Sequence, residues 1–160
     1  MTRFAPWMEI ALDEARAAAA RGEIPVGAAV VARDPARVIA RAGNRMRAER
    51  DPTAHAELLA IRAACRELGQ ERLAGCALYV TLEPCAMCAG AIAAARFALL
   101  CYGAPDPKSG GVAQGARVFD HPQSHHRPEI VAGVRENDCA ALLRDFFAAR
   151  RGARPGGIRD

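Results

Sequence analysis

The stretch ALYVTLEPCAMCAGAIAAARFALLCY, residues 77–102, decides the fold. Ala77 to Leu82 is a compact apolar run with the β-branched and aromatic content of a buried strand. Glu83-Pro84 follows, an acidic residue and a proline that read as a helix start. Small and apolar residues continue to about Ala95 and predict a helix. Phe97 to Tyr102 then predicts a further strand.

Upstream, the same logic repeats. Asp51-Pro52 reads as a cap with proline at the first helical position, and Leu58, Leu59, Ile61, Ala64, Cys65 and Leu68 supply an apolar face that ends near Gly69. Val26 to Val31 predicts a buried strand, Asp34-Pro35 a turn, and Arg37 to Ala42 the returning strand of a hairpin. From Phe4 to about Arg21, Trp7, Met8, Ala11, Leu12 and Ala15 share one helical face, Glu9, Asp13, Glu14 and Arg16 face water, and Gly22 ends the helix. An opening helix and hairpin followed by alternating helices and strands make an α/β layered domain with a mixed sheet.

Downstream, prolines and glycines interrupt residues 103–128, which predict either a functional loop or a disordered segment, with room for a turn of helix around Val112–Phe119. Ile130–Val134 predicts a short edge strand. Asn137 or Asp138 caps a last helix whose apolar set is Ala141, Leu142, Leu143, Phe146 and Phe147. Residues 1–150 read as a single domain, and residues 151–160 as a flexible tail rich in arginine and glycine.

Composition excludes several classes. With 51% hydrophobic residues, a collagen-like or wholly disordered chain is excluded. The apolar runs Ala15–Ala20 and Ala89–Ala95 are far too short for a membrane span. Glu9, Asp13 and Glu14 stand where a secretory signal would be apolar, so the cysteines read as reduced thiols of a cytoplasmic protein. The formal charge is +4, and every basic residue except Lys108 is arginine. That skew reflects either base composition or contact with phosphates, for which the guanidinium fork is suited.

Chemistry concentrates at the two proline-marked helix starts. His55-Ala56-Glu57 lies at one and Pro84-Cys85-Ala86-Met87-Cys88 at the other. Cys85 and Cys88 stand at i and i+3, so one helical turn can aim both thiolates at a point. One imidazole and two thiolates are three zinc ligands, and a catalytic site keeps its fourth position for water. A fourth cysteine, from among Cys65, Cys76, Cys101 and Cys139, would instead close the site as a structural one. His55 and Glu57 would diverge by about 200° on the side of a regular helix, so a shared site must sit over the helix end. A histidine and glutamate spaced H-x-E, with P-C-x-x-C elsewhere, form the pattern by which zinc deaminases bind metal and shuttle protons.

With these residues the sequence resembles the cytidine deaminase-like superfamily, and within it the bacterial tRNA adenosine deaminases, from roughly Trp7 to Arg150. The residues that carry the resemblance are Glu23-Ile24-Pro25-Val26-Gly27, Asn44-Arg45, Asp51 to Glu57 and Thr81 to Gly90. Asp106-Pro107-Lys108-Ser109-Gly110-Gly111, His125-His126-Arg127-Pro128-Glu129 and Cys139 to Phe147 resemble the tRNA branch more specifically. The resemblance implies a three-layer α/β/α domain with a central mixed five-stranded sheet. It implies one zinc ion per subunit on His55, Cys85 and Cys88, with Glu57 as proton shuttle and the Ala56 backbone N–H at the attacked centre. Asn44, Asp106, Lys108, Ser109 and Arg127 are then the expected substrate contacts; Arg45, Arg47, Arg150, Arg151 and Arg154 are either contacts to backbone phosphates or ordinary solvated arginines. The implied reaction is hydrolytic conversion of adenosine to inosine at position 34 of a tRNA anticodon stem-loop, that of an arginine tRNA, by a homodimer. A free-base or nucleotide deaminase, and an RNA-binding module with structural zinc, are the rival readings.

Overall fold

The computed structural model describes residues 2–153. A turn of 3-10 helix at Thr2–Phe4 leads into α1 (Ala5–Ala20). Strands β1 (Gly27–Arg33) and β2 (Ala36–Gly43) form the hairpin, and a short α2 (Met46–Glu49) precedes α3 (Ala56–Leu68). Then come β3 (Cys76–Leu82), α4 (Ala86–Ala95), β4 (Leu99–Ala104), β5 (Glu129–Ala132) and α5 (Glu136–Gly152). The five strands form one sheet in the order β2-β1-β3-β4-β5. Strand β1 is antiparallel to β2 and β3, whereas β3, β4 and β5 run parallel.

Strand alternation divides the core into two layers. Ala28, Val30, Leu78, Val80, Leu100 and Tyr102 face Ala60, Ile61, Ala64, Ala89 and Ile92 of α3 and α4. Their neighbours Val31, Ala77, Tyr79, Leu99 and Cys101 face Met8, Ala11 and Leu12 of α1 and Cys139 of α5. The central strand β3 is thus covered on both sides, which is why its sequence is apolar at successive positions instead of alternating. Alanines contribute little area each, so fully buried Leu12, Leu73, Ile92 and Phe97 supply much of the drive, at about 2 kcal/mol apiece. Small residues instead let layers approach: a Cβ on Gly27 would lie 1.9 Å from the carbonyl oxygen of Ala11 and 2.5 Å from the amide nitrogen of Ala15.

Three expected helix boundaries move. Asp51 does not cap α3. Its Oδ1 accepts from the backbone N–H and hydroxyl of Thr53, at 2.8 and 2.7 Å, which closes a local turn and delays the helix to Ala56. Glu83-Pro84 likewise does not open α4, which starts at Ala86. The last helix begins at Glu136 after Arg135 in a left-handed conformation, not after Asn137 or Asp138. The helical turn expected at Val112–Phe119 is a 3-10 turn at Val118–Asp120, and the edge strand starts at Glu129. Gly69 does end α3 with positive φ, and the N–H of Gln70 bonds back to Cys65.

Candidate metal centre

The displaced helix starts build the site. His55 is the N-cap of α3 and Cys85 the N-cap of α4, both extended at ψ 150° and 173°. A residue at that position projects its side chain over the helix end, beside the first amide groups. From there His55 reaches across: its Nδ1 lies 3.7 Å from Cys85 Sγ and 3.5 Å from Cys88 Sγ. All three ligand atoms fall within 4.8 Å of one another. The requirement that the site sit over the helix end is met. Cys65, Cys76, Cys101 and Cys139 do not join the cluster, so three ligands stand together among the described residues.

The three groups are coupled through shared hydrogen bonds. The Cys88 thiol and the His55 imidazole donate to Cys85 and pull its thiol down to about 4, with help from the backbone N–H of Cys88. The same hydrogen bond to Cys85 raises His55. Cys88 is raised, first by its bond to Cys85 and then by burial. An imidazole and two sulfurs, one of them readily ionised, are the donor set that suits zinc with an open fourth position.

The cluster opens onto a pocket of about 270 Å³ whose lining includes Asn44, His55, Glu57, Cys85, Asp106 and Ser109. Glu57, in the first turn of α3, is only 4% exposed, and desolvation pushes its carboxyl up to about 7. Asn44, at the end of β2, is 5% exposed. Its Oδ1 is the buried side-chain oxygen or nitrogen that lacks a hydrogen-bond partner among the described residues. An unmet acceptor beside an acid and a metal-ligand set marks where a polar ligand completes the site.

Residues 1–104 match the cytidine and deoxycytidylate deaminase zinc-binding region. A tRNA-specific adenosine deaminase of Agrobacterium fabrum is 54% identical over 145 residues, which are 91% of this chain and 94% of that protein. The chain belongs to the tRNA-specific adenosine deaminases. A solved structure of a tRNA:A34 deaminase that edits A to I at the wobble position is 55% identical, with a TM-score of 0.83 over 86% of this chain and 98% of the other. A guanine deaminase from Nitrosomonas europaea shares 26% identity, with a TM-score of 0.73 over 89% of this chain and 83% of its own.

The remaining expected contacts lie elsewhere. Lys108 is exposed, and its backbone N–H bonds to Asp106 Oδ1. Arg127 is exposed and paired with Asp120, outside the pocket lining. Two further residues are buried carboxylates that the sequence reading did not place at the site. Glu23 accepts from the backbone N–H groups of Arg47 and Ala48, which fixes α2 beside Asn44. Glu83 is 1% exposed and accepts from a downstream loop. Glu23 lies in a quoted stretch and Glu83 was read as a cap. Their shared signal is an acidic residue set among apolar ones.

Proposed function

We propose that this chain is a cytoplasmic homodimer that deaminates adenosine to inosine at the wobble position of a tRNA anticodon, with an arginine tRNA as substrate. The observation that carries the reading is the unpartnered Asn44 Oδ1 in one pocket with Glu57 and the His55–Cys85–Cys88 cluster. These three ligands would hold one zinc ion, which lowers the pKa of a coordinated water to about 7 and so supplies a nucleophile at neutral pH.

The chain's own groups do the rest. Asn44 Oδ1 accepts a hydrogen bond from the base and orients C6 toward the cluster. Glu57 takes a proton from the water that bonds to C6 and delivers it to N1, then carries the remaining proton of the added hydroxyl to the amino group, which leaves as ammonia as the C6–N bond breaks and the C6=O bond forms. The Ala56 N–H lies in the first turn of α3, whose amides have no acceptor within the helix, and in this reading serves the attacked centre. A nucleotide in an anticodon loop is already splayed or readily unstacked, so presenting its base costs less than extraction from a duplex.

The surface supports an RNA partner. Arg47, Phe147, Arg150 and Arg151 line a groove of about 520 Å³, where guanidinium groups can meet phosphates and an exposed ring can stack. Arg45 is paired with Glu49, and Arg154 lies outside the described residues. Exposed Met87, on α4, adds apolar surface suited to a second copy. No helix among the described residues is long and apolar enough to cross a membrane. We take residues 1–150 as one catalytic unit.

Incubation with unmodified arginine tRNA, followed by sequencing for inosine, tests the reading. Turnover of guanine with no inosine in the tRNA would instead favour a free-base enzyme, the activity of the structural relative from Nitrosomonas europaea.

A further inference from the structure

We propose that Glu83 is the positioning residue of the loop that forms one wall of the adenosine pocket, an inference that rests on reading this pocket as the adenosine site. Its carboxylate receives four backbone N–H groups from one downstream segment. Asp106 donates to Oε2 at 3.1 Å, and Val112, Ala113 and Gln114 donate to Oε1 at 3.2, 2.9 and 2.9 Å. Consecutive amides converging on one oxygen form a nest for an anion. Here the anion belongs to the protein itself, and among the described residues it has no cationic side chain as partner.

The bonds continue to the pocket. Asp106, held by Glu83, uses its Oδ1 to accept from the N–H groups of Lys108 and Ser109, at 3.1 and 3.0 Å. Glu83, Asp106 and Ser109 all line the pocket, so the buried carboxylate stands beside the very wall that it holds. The glycines of this loop make the wrap possible. A Cβ on Gly110 would lie 2.7 Å from Cδ and Oε1 of Glu83, and one on Gly111 would lie 2.5 Å from the amide nitrogen of Ala86. Gly111 also donates to the carbonyl of Pro84 at 2.8 Å, which ties the loop to the turn that carries Cys85. The loop thus has two separate ties, one to the Glu83 carboxylate and one to the turn that carries Cys85. Glu83 acts through the loop, because both of its oxygens are already engaged.

Glu83→Gln tests this, because the amide keeps the volume but turns one acceptor into a donor that faces an N–H. Zinc per chain stays as in wild type. Hydrogen exchange rises at residues 106–114 and not in β3 or β4. The KM for an anticodon stem-loop RNA rises about tenfold or more while kcat changes far less, as loss of a charged hydrogen bond at a substrate wall would give. Gly110→Ala sets a Cβ 2.5 Å from the Asp106 carbonyl oxygen and 2.7 Å from the Glu83 carboxylate, displaces the loop without altering the carboxylate, and is expected to reproduce the local exchange and the KM effect. Unchanged exchange at 106–114 in both variants would overturn the proposal. So would a uniform rise across the chain, or a fall in kcat that follows lost zinc, because either marks a merely structural role. If wild type forms no inosine yet the exchange response appears, the anchor stands and the adenosine reading falls.

Discussion

His55 and Cys85 occupy the same place on two different helices, the N-cap, and their Nδ1 and Sγ atoms lie 3.7 Å apart. Each residue ends an extended segment and begins a helix, so each side chain sits over a helix end. Two such ends brought together by packing on one face of the sheet make a site neither helix could form alone. Cys88, in the first turn of α4, completes it.

The ligand set predicts metal content directly. Cys85→Ala, Cys88→Ala and His55→Ala each leave two protein ligands, and zinc measured by elemental analysis is expected to fall from about one atom per chain to near none. Deamination is lost with it. Full zinc in any of the three variants would mean that the metal is held differently.

Asn44 carries an unmet acceptor, and an unsatisfied buried polar atom costs about 1–3 kcal/mol in the absence of ligand. Asn44→Ala removes both the cost and the contact. Its melting temperature is expected to move by less than about 4 °C, because relief of the unmet group offsets lost packing. Its kcat/KM on tRNA is expected to fall about tenfold to a hundredfold. A large loss of stability without a loss of turnover would assign Asn44 to the scaffold.

Gly27 tests the packing that sets β1 against α1. A Cβ there would meet the Ala11 carbonyl oxygen at 1.9 Å, and that atom is backbone and cannot rotate away. Gly27→Ala is expected to destabilise the protein by about 3 kcal/mol, read as a lower urea midpoint with little change in slope. A variant as stable as wild type would show that α1 shifts freely.

Much of this was legible in residues 77–102. Continuous apolar character marked β3 as doubly covered, and the spacing of Cys85 and Cys88 with H-x-E upstream pointed to a metal with an acid beside it. Two helix starts were misjudged for different reasons, one local and one long-range. Asp51-Pro52 and Glu83-Pro84 both look like caps, yet Asp51 closes a turn onto Thr53 and Glu83 gathers amides from residues 106–114. Local pattern cannot reveal an acceptor whose donors arrive from more than twenty residues downstream. Helix α2 was missed because four residues carry no periodicity. The orphaned oxygen of Asn44 is a property of the packed site, which sequence cannot display.

The most direct measurement is inosine formation at position 34 of unmodified arginine tRNA by wild type and by Glu57→Gln, at equal zinc content. Wild type is expected to convert the nucleotide. The variant is expected to bind the same RNA and turn it over about 100-fold to 10,000-fold more slowly, the range for loss of a general acid and base. Conversion by the variant at the wild-type rate, or none by wild type, would contradict the account.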